Sequence, residues 1–237
     1  MDKIYAAFLI FLSYFIVTTF IPKNADSAEK QPSAKVSKKS GKTETAIFAG
    51  GCFWCMEHPF EDQPGISKAI SGYTGGKKKD PTYNQVASGA TQHVEAVEIH
   101  FDPEKVSYND LLEIFWRNID PTDAGGQFVD RGKQYTTGIF YNNKQQKKAA
   151  EQSKKRLEDK KLFSKEIITK IVQAGQFYPA EEYHQDFFKK NYIRYRVYRA
   201  GSGRDEFIKR VWGDDREYKI SKIGFNTGTG PKLTFIG

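Results

Sequence analysis

The chain has 237 residues, 38% hydrophobic, 28% charged and 14% aromatic, the aromatics being 18 Phe, 13 Tyr and 3 Trp. That composition excludes a wholly disordered chain, a coiled coil and a collagen-like repeat, and two cysteines are too few for a disulfide-stapled scaffold or a four-thiolate zinc site. Half of the net charge of +8 lies in residues 22–43, where six lysines stand against two acids; the remainder is spread, which argues against nucleic-acid binding.

Asp2 and Lys3 precede an uncharged run from Ile4 to Ile21, ended by Pro22 and Lys23. The run is longer than the ~7–15 residues of a usual export-signal core and close to the ~18 residues of a membrane span, so residues 1–28 read as a signal peptide or an uncleaved anchor. Cleavage after Ala28 fits the small residues there, although Asp26 suits the site poorly. The expected location is outside the cytoplasm, periplasmic or secreted, with residues 4–21 as the one membrane contact. Residues 29–43 are Lys-rich with a single Val and no aromatic, and read as a disordered linker.

The folded part is expected over residues 44–213. Ala46–Ala49 reads as a strand broken by Gly50-Gly51, and Cys52–Glu61 as the first turns of a helix. Ile66–Tyr73 is a second strand. Residues 93–101 alternate, with His93, Glu95, Val97, Ile99 and Phe101 on one face. Ser107 caps a helix carrying Leu111, Leu112, Ile114 and Phe115. Thr136–Tyr141 reads as a strand, Asn142–Lys161 as a charged, mostly exposed helix and Ile167–Val172 as a strand. Pro179 opens a helix through Lys190. This order predicts one α/β or α+β domain. The Gly-rich residues 214–237 read as a loosely packed tail.

Gly50-Gly51-Cys52-Phe53-Trp54-Cys55 is the strongest chemical signal. The glycines permit a tight turn, and the positive end of a helix favours the Cys52 thiolate, the attacking form of a cysteine. Cys55 stands on the same helix face, near disulfide range. Two other readings of these residues stay open: inert core cysteines, and metal ligation through Cys52, Cys55 and His58. Glu95, on an otherwise apolar face, should hold its proton more tightly than usual, as a general acid does; the bland alternative is an exposed strand-end carboxylate. Tyr83, Asp130 and Tyr135 lie in polar, turn-rich stretches where phenols can serve a developing oxyanion. His184 reads as a structural residue.

The segments FAGGCFWCMEHPFEDQPGI, SGYTGG, YNQVASGATQHVEAVEIHFDP, QFVDRGKQY and FYPAEEYHQDF, between residues 45 and 212, resemble the peptide methionine sulfoxide reductase A family. The resemblance implies a ferredoxin-like α/β sandwich with a mixed, largely antiparallel sheet. It implies reduction of methionine-S-sulfoxide, free or in oxidised proteins, with no metal or organic cofactor and with a thioredoxin-like dithiol as reductant. Cys52 looks like the nucleophile, Phe53 and Trp54 like the walls around the substrate methyl group, and Glu95 like the acid. Tyr83 and Tyr135 look like hydrogen-bond partners of the sulfoxide oxygen, Asp130 like an orienting group, and Cys55 like the resolving cysteine. Gln92 replaces a common Gly, and Thr136-Thr137 a common Arg-Ser, near the site. The C-x-x-C pair alone also permits a thioredoxin-like disulfide oxidoreductase, and a non-enzymatic redox or metal module tethered to a membrane is a third reading.

Overall fold

The structure, a computed structural model, describes residues 42–220. The signal segment, nearly all of the Lys-rich linker and residues 221–237 lie outside the described residues. Among the described residues no helix is long and apolar enough to cross a membrane.

The elements in chain order are β1 (Glu44–Gly50), α1 (Phe53–Glu57), β2 (Ile66–Thr74), α2 (Tyr83–Ala87), β3 (Val94–Phe101), α3 (Tyr108–Arg117), β4 (Gly126–Gln127), β5 (Asp130–Arg131), β6 (Thr137–Tyr141), α4 (Lys144–Asp159), β7 (Lys170–Gln173), β8 (Tyr178–Pro179), α5 (Phe187–Lys190), α6 (Tyr192–Gly201) and α7 (Arg204–Trp212). Six strands form one sheet in the order β7-β6-β1-β3-β2-β8, and β4 and β5 form a separate short hairpin. Every pairing in the large sheet is antiparallel except β6 with β7, so the mixed, largely antiparallel sheet is present.

β1 runs through the middle of the sheet, which explains its unbroken apolar sequence. Ala46, Ile47, Phe48 and Ala49 are all buried because both faces of the sheet are covered. Phe48 stacks on Phe60, Tyr108 and Phe115 at 5.6, 6.0 and 5.0 Å between ring centroids, and joins the main core with Leu111 and Leu112 of α3. Ile47 faces the opposite side, against Phe140 and Phe177. The expected face of β3 is confirmed: Glu95, Val97, Ile99 and Phe101 are all buried, as is His93 just before the strand.

Local chemistry sets the helix ends. Ser107 Oγ accepts the Asp110 N–H at 3.2 Å while Asp110 Oδ2 accepts the Ser107 N–H at 2.9 Å, a reciprocal cap that opens α3. α4 buries Gln146, Ala150, Ser153 and Leu157 and leaves its lysines in water. Ser153 Oγ accepts the Trp116 indole N–H at 2.9 Å, which ties α4 to α3.

Two expectations are corrected. Residues 179–190 are not one helix. They comprise the end of β8, a single 3-10 turn at Glu182–His184 and the short α5. The cause is Asp186, which adopts a left-handed conformation (φ 53°) while its N–H donates to Glu57 Oε1 at 2.9 Å. Nor are residues 214–220, the described part of the tail, loosely packed. Tyr218 donates its hydroxyl to Asp110, Arg117 lies 5.2 Å from the Tyr218 ring centroid, and Ile220 is buried in the main core. These aromatic and aliphatic groups remove apolar surface from water, which the Gly content around them conceals.

Candidate active site

β1 delivers the chain to the site. Gly51 has φ +83°, and a Cβ there would lie 2.5 Å from Gln127 Cβ; a Cβ on Gly50 would lie 2.5 Å from Met56 Sδ. The two glycines let the strand turn against the β4–β5 hairpin and the underside of α1. Cys52 follows as the residue capping α1, and Cys55 N–H donates to its carbonyl at 3.1 Å.

Glu95 enters from β3. Its carboxylate Oε2 accepts the Phe53 N–H at 3.0 Å, and the side chain is 1% exposed. Burial lifts its pKa from 4.5 to about 8, against the opposing effect of the Phe53 N–H; the negative charges of Asp130 and Cys55 push the same way as burial. At neutral pH Glu95 therefore holds a proton, as the sequence suggested.

The thiols differ from expectation. α1 spans five residues, and its first free N–H serves Glu95 rather than the sulfur. Burial pushes the Cys52 thiol up, reinforced by the hydrogen bond and charge of Cys55 and by Glu95; Tyr198 opposes. Cys55 is lowered to about 6, chiefly by its hydrogen bond with Cys52, with Arg204 and Arg199 adding to it and burial opposing. The two sulfurs thus form one acid–base unit. The first proton leaves readily, because the remaining S–H bridges to the anion beside two guanidinium groups. The second leaves reluctantly, against like charge. Cys52 becomes the thiolate when its proton passes to Cys55.

Tyr83 opens α2, and Tyr135 ends a 3-10 turn after β5. Burial raises the Tyr83 phenol to about 12, and raises Tyr135 as well; Glu95, Cys52 and Asp130 add to both through their negative charge. These phenols stay protonated and remain hydrogen-bond donors. Asp130, on β5, accepts the Tyr198 hydroxyl; burial raises its carboxyl while Tyr198 and Arg204 hold it down. Cys52, Glu95, Tyr83, Tyr135 and Asp130, drawn from five separate segments, therefore converge on one place.

Two aromatic side chains wall it. Phe53 is 1% exposed and packs on Tyr73, Tyr83 and His184 with centroids 5.9, 6.5 and 4.9 Å away. Trp54 stacks flat on Phe187 at 3.7 Å, meets Tyr198 edge-on at 5.7 Å, and donates its indole N–H to His184 Nδ1 at 3.1 Å.

The model of the peptide methionine sulfoxide reductase family matches residues 44–216. The chain belongs to that family. The peptide methionine sulfoxide reductase MsrA of Bacillus licheniformis is 58% identical over 172 residues, covering 73% of this chain and 95% of that protein. The MsrA of Bacillus subtilis is 56% identical over 174 residues, covering 73% and 98%. Among solved structures, reduced Mxr1 from Saccharomyces cerevisiae matches with a TM-score of 0.58 at 31% identity, covering 65% of this chain and 91% of that one. Methionine sulfoxide reductase A of Corynebacterium diphtheriae matches with a TM-score of 0.58 at 32% identity, covering 66% and 78%. Family membership displaces the thioredoxin-like reading of the C-x-x-C pair. His58 does not join the thiols either: its Nδ1 pairs with the Tyr195 hydroxyl at 3.1 Å.

Several residues at this family site were not singled out from the sequence. Tyr198 donates its hydroxyl to Asp130 and lowers the pKa of the neighbouring Cys52 thiol. Arg204 is 1% exposed; its guanidinium donates to the Gly50 carbonyl at 3.0 Å and to the Asn118 carbonyl, and lies 4.7 Å from the Phe128 centroid. Arg199 donates to the Cys55 carbonyl at 3.2 Å. Glu181 accepts the Tyr73 hydroxyl at 2.9 Å and the Tyr83 N–H at 2.8 Å, fixing α2 beside the site. Glu57, buried on α1, accepts the Ser71 hydroxyl at 3.0 Å and the Asp186 N–H. One signal was available for the α6 residues: Tyr195, Tyr198 and Arg199 recur at helical spacing in YIRYRVYR.

Proposed function

We propose that this chain reduces methionine-S-sulfoxide, free or in oxidised proteins, to methionine, using thiols as the electron source and neither metal nor organic cofactor. The observation that carries the reading is the protonated, buried Glu95 carboxyl hydrogen-bonded to the Phe53 N–H beside Cys52.

A sulfoxide sulfur is a weak electrophile until its oxygen is protonated. Glu95 gives that proton as the Cys52 thiolate attacks sulfur, and Tyr83 and Tyr135 donate hydrogen bonds to the same oxygen. Phe53 and Trp54 enclose the methyl group, and Asp130 orients the polar side of the site through Tyr198. Methionine departs, and the oxygen remains on Cys52 as a sulfenic acid. Cys55 then attacks that sulfur, releasing water and forming a Cys52–Cys55 disulfide. A thioredoxin-like dithiol restores both thiols by exchange.

The assay that tests this reading supplies dithiothreitol and the separated sulfoxide epimers. Turnover of the S epimer alone is the expected result; turnover of neither would remove the reading. We also propose that the enzyme acts outside the cytoplasm, exported through residues 1–28, on the strength of the uncharged run from Ile4 to Ile21. Fractionation that recovers the full-length chain only from the cytosol would overturn that location.

A further inference from the structure

The proposed cycle passes through a Cys52–Cys55 disulfide, and the surroundings of its two sulfurs are unlike. Cys52 keeps 7% exposure and stands where Glu95, Tyr83, Tyr135 and Tyr198 converge, so a sulfoxide has to reach it from that exposed side. Cys55 is 1% exposed and lies in a separate cluster with Phe187, Phe188 and Tyr195, against which Trp54 and Tyr198 also pack. A thiolate arriving from solvent meets Cys52 first and meets aromatic rings in front of Cys55.

The charges are arranged with the same asymmetry. Arg199 donates to the Cys55 carbonyl and to the Tyr195 hydroxyl at 3.3 Å. Arg204 is buried, its two terminal nitrogens donate to the Asn118 and Gly50 carbonyls while its Nε has no partner, and it forms no salt bridge among the described residues. Burial opposes negative charge on Cys55, but both guanidinium groups favour it, and Asp130 opposes them more weakly. Negative charge on Cys52 is opposed chiefly by its burial, with no guanidinium group to offset it. In thiol–disulfide exchange the sulfur that better bears negative charge leaves faster.

Resting on the function proposed above, we propose that the disulfide is opened at one sulfur only: an external thiolate enters from that same exposed side and attacks Cys52, and Cys55 departs as the thiolate. In this step a bond forms between the external sulfur and Cys52 Sγ, the Cys52–Cys55 bond breaks, and its electron pair goes to Cys55 Sγ. The second thiol of the external dithiol then attacks its own bonded sulfur and releases Cys52. The external dithiol ends oxidised to a disulfide, and the two cysteines end reduced with its two protons. The walls that exclude solvent from Cys55 thus make one side of the site serve sulfoxide and reductant in turn.

The test uses the full chain oxidised with diamide, so that the internal disulfide is made without sulfoxide turnover and failure here is separable from failure of the proposed activity. The oxidised protein is mixed with a thioredoxin whose second active-site cysteine is serine and, separately, with glutathione. Each reaction is quenched early with iodoacetamide and mapped by fragment-ion mass spectrometry. The expected result is the external sulfur on Cys52 and the carbamidomethyl group on Cys55, in roughly ten-fold or greater excess over the reverse pattern with both thiols. External sulfur on Cys55, or comparable labelling of the two cysteines, would overturn the proposal.

Discussion

Glu95 and Phe53 are joined across the site by a single hydrogen bond, from the Phe53 N–H to Glu95 Oε2 at 3.0 Å. Phe53 follows Cys52 directly, so this bond sets the distance between an acid on β3 and a sulfur at the start of α1. Replacing Glu95 by Gln keeps an acceptor for that N–H but removes the proton. The single-turnover rate of sulfoxide reduction should fall by roughly 10²–10⁴-fold, the usual worth of a positioned general acid. The wild-type rate should decline as pH rises through about 8, where Glu95 ionises, and the variant should lack that limb. Stopped-flow rates across pH would show both.

The same burial predicts a pH-dependent stability. Glu95 and Glu57 hold their protons in the folded chain up to about 8 and about 7, whereas the ordinary carboxyl value is 4.5. Between 4.5 and those values the unfolded chain has released protons that the folded chain keeps, so stability contributed by these groups is lost as pH rises. Melting temperature should decrease across that window, and Glu57→Gln should flatten its lower part. An unchanged slope in the variant would show that Glu57 ionises normally in the fold.

Cys55 is the acid–base partner of Cys52 as well as its proposed resolving group. Cys55→Ser should reduce about one equivalent of sulfoxide, more slowly than wild type because the sulfur that takes the Cys52 proton is gone. It should then stall as a sulfenic acid that dimedone traps. Thioredoxin-supported turnover equal to wild type would remove Cys55 from the cycle.

Tyr198→Phe deletes one hydroxyl while keeping the ring that meets Trp54 edge-on at 5.7 Å. The loss leaves Asp130 without its donor and Cys52 without the group that opposes the rise in its pKa. A fall of roughly 10–100-fold in the single-turnover rate is expected, from the ~1–3 kcal/mol cost of an unpaired buried polar group. The same unpaired carboxyl should lower the melting temperature by roughly a few degrees; that drop with an unchanged rate would make Tyr198 a structural residue only.

Legibility followed sequence separation. Cys52, Phe53, Trp54 and Cys55 are contiguous, and Glu95 stands out by strand alternation, so local pattern found them. Tyr83, Asp130 and Tyr135 sit in turns with no periodicity, and only their likeness to a family marked them. Tyr198, Arg199 and Arg204 reach the site because α6 and α7 fold back on α1 over more than a hundred residues, which no local pattern encodes. The segment 179–190 misled for a related reason: the side chains of Glu181 and Gln185 serve Tyr83 and Ser71 on other elements, and Asp186 turns left-handed to meet Glu57.

The central claim is that Cys52 carries the chemistry and that both electrons of one turnover come from the two cysteines. One measurement addresses it: full-length protein is mixed with one equivalent of methionine-S-sulfoxide without reductant, then quenched for methionine and free thiols. The account predicts one methionine per chain and the loss of both thiols in the wild type, and no methionine with Cys52→Ser. Methionine formed by Cys52→Ser, or by the wild type with both thiols still free, would contradict it.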